Sequence, residues 1–370
     1  MDERIDKIVS SAIEAVLPDK SVKEALSSLQ LEGNIHIIAI GKAAWLMASA
    51  ASQALDDKYV GGICITKYEH SQGDIPRIKI FEAGHPTPDA NTVKATQAAI
   101  DYVRDLGEED TVLFLVSGGG SALFECPNCS LEEFIKINDE LLASGKDIKE
   151  MNSIRKQYSN VKDGKFAEIC KPAKVINLIL SDVLGDDLKS IASGPTIAEG
   201  VDSYLVGNLS KLISAASMAC KAQGYKPIIV NDNMTGIARL EAERFANEAL
   251  KYSNDKEKIA LISGGETVVK LTGSGKGGRN QEFALACAPL IEGKNIKIFS
   301  VGSDGTDGPT DAAGGHVSGK SMELFSEAGI DVQAYLENND SYHALKATDQ
   351  LIVTGPTGTN VNDIAVALIN

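Results

Sequence analysis

Residues 111–123 read TVLFLVSGGGSAL. The run Thr111–Val116 is apolar and strand-sized, and it ends in Ser117-Gly118-Gly119-Gly120-Ser121. An unbroken apolar strand is the signature of a sheet covered on both faces. A glycine loop after such a strand exposes backbone N–H groups where open α/β sheets bind their ligands, beyond the carboxyl ends of the strands. The pattern recurs twice. Ile259–Ile262 runs into Ser263-Gly264-Gly265-Glu266-Thr267, and Ile296–Val301 runs into Gly302-Ser303-Asp304-Gly305-Thr306-Asp307.

Working outward, further strand-sized runs are Ile35–Gly41, Gly62–Thr66, Ile78–Ala83, Val175–Ser181, Lys226–Val230 and Leu351–Thr354. Helical patterns lie between them, among them Thr92–Leu106, Leu131–Leu142, Met234–Tyr252 and Gln281–Pro289. The alternation predicts an α/β protein with a mostly parallel, doubly wound sheet. A chain of 370 residues is long enough for two or three domains. Helix Met234–Tyr252 is polar and is followed by Ser253-Asn-Asp-Lys-Glu257, which places a domain junction there. The predicted domains are 1–232 and a smaller one over 233–370.

Lys and Arg number 36 against 51 Asp and Glu, a net charge of −15. Nucleic acid and anionic membrane surfaces both need a basic footprint, so neither is an expected partner. No apolar run reaches the length of a membrane span. The N-terminal MDERIDKIVSSAIEAVL mixes acids with bases and reads as an amphipathic helix, not a leader, so a cytoplasmic protein is expected. Of six cysteines, only Cys126 and Cys129 share CxxC spacing, with no second pair or paired histidines for zinc. Reduced thiols are the expectation and a redox pair the alternative.

The chemistry-bearing residues cluster by type. Positive groups beside the loops are Lys42 after the first strand, Arg155, Lys156 and Lys162 in NSIRKQYSNVKDGK, and Lys276 and Arg279 in GSGKGGRNQE. An Arg fork suits carboxylate or phosphate. Acids follow two strands: Asp182, Asp186 and Asp187 after the first, then Asp304, Asp307 and Asp311. Near phosphate, one or two such carboxylates suit Mg²⁺, and an aspartate beside a hydroxyl suits a base in phosphoryl transfer. His85 stands at another strand end, as a substrate contact or a turn histidine. Gly314-Gly-His-Val-Ser-Gly319-Lys320-Ser321 matches the Walker A pattern, but a loop precedes it where a P-loop requires a strand. The Gly41-Lys42 turn lacks GxGxxG, which disfavours a nicotinamide cofactor.

Taken together, GKAAWLMA, AGHPTPDANT, LVSGGGSAL, RKQYSNVKDGK, SDVLGDDLKSIASGPT, SGGETVVKLTGSGKGGRNQEFALA, VGSDGTDGPTDAAGG and TGPTGTNVNDIAVAL resemble the glycerate 2-kinases of the MOFRL type, in order and over nearly the whole chain. The resemblance implies ATP-dependent phosphorylation of D-glycerate to 2-phosphoglycerate in carbohydrate metabolism, with Mg²⁺ or another divalent cation. It also implies a Rossmann-like N-terminal domain, a smaller α/β C-terminal domain and an active site in the cleft between them. On this resemblance Lys42, Arg279 and Asp182 are the expected catalytic residues. Ser117, Gly118, Gly119, Gly120, Ser121, Arg155, Lys156, Glu266, Asn280, Asp304 and Asp307 are expected to bind substrate or phosphate, and Asp182 and Asp304 to hold the metal. Two departures stand out: Gln157 where the family has His, and Asp163 where it has Gly, which puts a negative charge beside Lys162. The expected partners are small molecules, with an oligomer of identical chains left open. The rival readings are a hydroxypyruvate or hydroxyacid oxidoreductase and a nucleotide-binding regulatory protein.

Overall fold

The computed structural model describes residues 2–144 and 148–370. Two compact units emerge, Pro18–Gly207 and a second that joins Met1–Leu17 to Asn208–Asn370.

The first unit contains β1 (Asn34–Ile40), β2 (Tyr59–Lys67), β3 (Ile78–Ala83), β4 (Asp110–Val116), β5 (Lys174–Leu180) and β6 (Asp202–Gly207). They form one parallel sheet in the order β3-β2-β1-β4-β5-β6. This is the doubly wound order of a Rossmann-like domain, and it reverses between β1 and β4, where such sheets open a crevice. Ile37, Ile38, Ile40, Leu113, Phe114 and Leu115 are fully buried, which is why these runs carry no polar alternation. Helix Ala90–Val103 returns to the sheet from a reciprocal cap: Thr92 N donates to Asp89 Oδ1 and Asp89 N to Thr92 Oγ1.

The second unit contains β7 (Lys226–Ile237), β8 (Ile259–Val268), β9 (Ile296–Gly302), β10 (Gly314–Ser318), β11 (Leu351–Ile352) and β12 (Asp363–Ile369), ordered β11-β10-β9-β12-β8-β7. Only β7 and β8 pair in parallel; every other pair is antiparallel. The mostly parallel sheet predicted from sequence therefore holds for the first unit alone. The C-terminal strand β12 inserts between β8 and β9 and reverses the ladder on both sides. Strands β6, β10 and β12 lie outside the predicted runs, and residues 234–237 extend β7 where the sequence predicted helix. The Walker-like segment is strand β10, its backbone paired with β9, so no phosphate loop forms there.

The division at Gly207 differs from the predicted boundary at 232. Helix Leu209–Ala222 and β7 pack on β8 and so belong to the second unit. The N-terminal helix Glu3–Glu14 joins them. Its Ile5, Ile8, Val9 and Ala12 are buried, Arg4 Nη1 donates to Tyr225 Oη at 3.0 Å, and Asp2 pairs with Lys297. Thr359 Oγ1 donates to Val16 O at 2.8 Å. Among the described residues no helix is long and apolar enough to cross a membrane.

This assignment has a direct check. Ile8→Ala should cost about 2–4 kcal/mol. Hydrogen exchange should show lost protection in β8, β9 and β12 and none lost in β1 and β4. Loss confined to β1 and β4 would move the N-terminal helix to the other unit.

Candidate active site

In the first unit the candidate residues meet at the carboxyl ends of β1, β4 and β5. Gly41 follows β1 with φ +111. Beyond it, Lys42 N donates to Gly118 O at 2.9 Å and Ala43 N to Ser117 Oγ at 3.0 Å, which ties the β1 turn to the glycine loop. A Cβ at Gly118 would meet Asp182 Oδ2 at 2.0 Å. One at Gly119, where φ is +83, would lie 3.0 Å from the His85 ring and 3.1 Å from Lys42 Cγ. Lys42, His85, the Ser117–Ser121 loop and Asp182 are thus neighbours, which brings three of the expected site elements together with His85, whose role the sequence left open. Among the described residues the N–H groups of Gly118, Gly119, Gly120 and Ser121 have no protein acceptor, and Lys42 Nζ has no ion-pair or hydrogen-bond partner. Burial, then the charges of Lys42 and Lys67, push the His85 imidazole below its ordinary value, so it is neutral beside the lysine.

The remaining cations of this unit divide. Lys156 Nζ pairs with Asp163 Oδ1 at 3.1 Å, so the departure at position 163 meets a lysine instead of opposing an anion site. Arg155 is half-buried, its Nε has no partner among the described residues, and burial lowers its pKa. Asp187 is occupied in a local turn, accepting from Lys189 N and Ser190 Oγ.

In the second unit the antiparallel β12 places its first residue, Asp363, opposite Gly265 of β8 and Gly302 of β9. Arg279 opens helix Arg279–Cys287. Its Nε and Nη2 grip Asp363 at 2.5 and 2.9 Å, and its Nη1 reaches Glu266 Oε1 at 3.0 Å. Burial works against the guanidinium charge, but the bonds and charge of Asp363 and the charge of Glu266 more than offset it, and the pKa rises. The sequence predicted a cation free to meet an anion; the structure shows Arg279 clamped by one buried carboxylate and one that is 44% exposed.

Asp307, 2% exposed, accepts Asn280 N at 3.1 Å and Gln281 N at 2.8 Å, so it caps the helix that carries Arg279. Asn280 is buried and accepts Ser300 Oγ at 2.6 Å. These contacts make Asp307 and Asn280 supports of Arg279. Asp304 is half-buried, and its Oδ1 accepts Thr306 N at 2.9 Å. Asp363 was missed in the sequence; its signal is an aspartate directly ahead of the apolar run IAVALI. Among the described residues no group of three or more His, Cys, Asp or Glu is arranged to hold a metal. All six cysteines are free, Cys126 buried and Cys129 half-buried.

Residues 4–219 match the domain of unknown function DUF4147, and residues 259–363 match the MOFRL family. The D-glycerate 2-kinase of Thermotoga maritima is 45% identical over 98% of this chain and 97% of its own. A putative hydroxypyruvate reductase of Agrobacterium vitis is 38% identical over 91% of this chain and all of its own. The crystal structure of a glycerate kinase from Thermotoga maritima superposes with a TM-score of 0.97 at 44% identity, over 100% of this chain and 99% of that one.

Asp307 provides a pH test of the second group. Burial raises its carboxyl from 3.8 to about 6, against the pull of the Gln281 and Asn280 amides. The native state then binds more protons than the unfolded chain between those values, so its contribution to stability is lost as pH rises through about 4 to 6. Urea unfolding of wild type should lose more stability than Asp307→Asn across that window. An equal change in both proteins would place the carboxyl at its ordinary value.

Proposed function

The chain belongs to the MOFRL family of glycerate 2-kinases, and on that premise we propose that it transfers the γ-phosphoryl group of ATP to the 2-hydroxyl of D-glycerate, giving ADP and 2-phosphoglycerate. It is a kinase with an alcohol group as acceptor, and glycerate is the substrate class. The observation that carries this reading is the pairing of Lys42 with four loop N–H groups at the β1/β4 switch point, none of which has a partner among the described residues. Such a site offers donors to an anion and asks nothing of it in return.

Phosphoryl transfer needs positioning and charge neutralisation more than covalent chemistry. In this reading the Ser117–Ser121 loop holds phosphate oxygens, and Lys42 neutralises charge on the transferring group. Arg279, fixed by Asp363, presents its Nη1 edge to the substrate carboxylate or phosphate, in exchange for the half-exposed Glu266. Arg155 and Lys156 are further candidates for phosphate contact. Asp182 and Asp304 are the candidate Mg²⁺ ligands; both are hard oxygen donors at strand ends, and Mg²⁺ with phosphate usually takes one or two carboxylates. When bound, the cation would neutralise phosphate oxygens.

The oxidoreductase reading has one point in its favour, the name carried by the relatives of Agrobacterium vitis. It requires a dinucleotide turn after β1, and Gly41-Lys42-Ala43 is not one. NADH oxidation with hydroxypyruvate would support it. ATP binding without turnover on any hydroxy acid would support a regulatory protein.

³¹P NMR of the product from D-glycerate, ATP and Mg²⁺ should show 2-phosphoglycerate. A 3-phosphoglycerate resonance would overturn the regiochemistry, and intact glycerate would overturn the reaction. Lys42→Ala should lower kcat by about 10²–10³-fold with modest change in either KM. Near-normal kcat would remove Lys42 from the catalytic residues.

A further inference from the structure

Lys162 is a buried charge that the proposed reaction leaves unused. It is 2% exposed. Burial pulls its ammonium down to about 8, and the charge of Glu125 offsets part of that pull. A buried cation is costly unless its donors are satisfied. Lys162 Nζ donates to Gly120 O and to Ala192 O, each at 3.1 Å.

Those two carbonyls belong to two segments. Gly120 lies in the glycine loop. Ala192 lies in a turn where Ala192 and Ser193 hold φ of 49° and 62°, left-handed backbone that side chains disfavour. The residues after Lys162 fasten to the same turn: Asp163 N donates to Ser193 O at 3.1 Å and Gly164 N to Gly194 O at 2.8 Å. Ser121 Oγ and Ser193 Oγ lie 3.1 Å apart. Lys162 therefore bridges the back of the loop to a turn held in a strained conformation.

The bond to Gly120 O has an electronic consequence. A peptide group is planar and trans, so its C=O and N–H point in opposite directions. The carbonyl of Gly120 and the N–H of Ser121 form one such group. The carbonyl accepts both Lys162 Nζ and Phe124 N, the latter at 3.1 Å. The N–H has no protein acceptor among the described residues. A cation on the carbonyl side draws electron density from the peptide and strengthens the opposite N–H as a donor.

We propose that Lys162 is a positioning residue for phosphoryl transfer, which from behind the glycine loop fixes and polarises the Gly120–Ser121 peptide so that Ser121 N–H donates to a bound phosphoryl oxygen. This rests on the reading of the loop as a phosphate cradle. Lys162 touches no substrate; its effect reaches the reaction only through the peptide.

The test uses inorganic phosphate as probe and the full chain, labelled for amide NMR, as wild type, Lys162→Met and Lys162→Gln. In wild type, phosphate should shift the Ser121 and Gly119 amides. In the folded variants the Ser121 amide should move upfield before phosphate is added, phosphate affinity should fall about tenfold, and kcat should fall by at least about as much. Wild-type Ser121 shift and phosphate affinity in a folded variant would overturn the role of Lys162 while leaving the loop reading intact. No response of Ser121 and Gly119 in wild type would overturn the loop reading and this inference with it. Failure of both variants to fold would make Lys162 a requirement of the fold and overturn a role specific to the reaction.

Discussion

A Cβ at Gly41 would lie 2.3 Å from Ser117 Oγ and 2.4 Å from Ser117 O, so β1 and β4 can release their chains side by side only over a glycine. The backbone there also holds φ +111, a conformation that side chains rarely adopt. Everything in the first group of site residues follows from that close approach. Because residue 41 has no side chain, Lys42 N and Ala43 N reach Ser117 and Gly118 and hold the loop against the β1 turn. Because the loop sits there, Gly118 has room only for the Asp182 carboxylate and Gly119 only for His85 and the Lys42 stem. A parallel sheet alone would leave a crevice at this position; the missing Cβ makes it narrow enough to be lined by N–H groups.

The second group depends on a different constraint, the insertion of the last strand. Asp363 meets Arg279 because β12 runs antiparallel between β8 and β9, which brings its first residue to the edge where those strands end. The aspartate is 3% exposed and the guanidinium fork satisfies it on both oxygens. Truncating Arg279 would leave the buried Asp363 carboxylate without the fork that satisfies it, a costly loss. Asp307 adds a second restraint by capping the helix on which Arg279 is the first residue. The Nε–Nη2 side of the arginine is thus fixed by Asp363, while its Nη1 side rests on the half-exposed Glu266.

The contrast between these groups explains what could be read from the chain alone. The Rossmann-like unit was legible because its strands are buried on both faces and read as unbroken apolar runs. The glycine loops were legible because glycine after a strand has few other uses. Strand β10 was hidden because GGHVS looks like a loop, and β6 because DSYLVG is half-exposed and polar. The position of β12 was not legible at all, since strand order depends on contacts far apart in sequence. Arg279 was therefore found by its glycine neighbours, while its partner Asp363, 84 residues away, was not. The structural division at Gly207 departs from the expected boundary for a related reason. The pairing of β7 with β8 and the docking of an N-terminal helix both outweigh the change in composition near residue 232.

Charge is the last link between the two groups. The chain carries −15, and both proposed substrates are anions, so the protein as a whole repels what it must bind. Beyond about 8 Å at physiological salt that repulsion is screened, and binding falls to the local field. The first group supplies that field with a lysine and N–H groups that have no partner among the described residues, and it keeps His85 neutral so that no second cation competes for the same oxygens. Arg279 alone cannot play this part, because Asp363 and Glu266 together outweigh its charge. In the proposed reaction its Nη1 edge becomes available to a substrate anion only as the half-exposed Glu266 gives way. In the proposed phosphoryl transfer the first group therefore supplies the standing field for an anion, with the Asp182 carboxylate against its loop as a place for a cation, and Arg279 adds its charge only after Glu266 has given way.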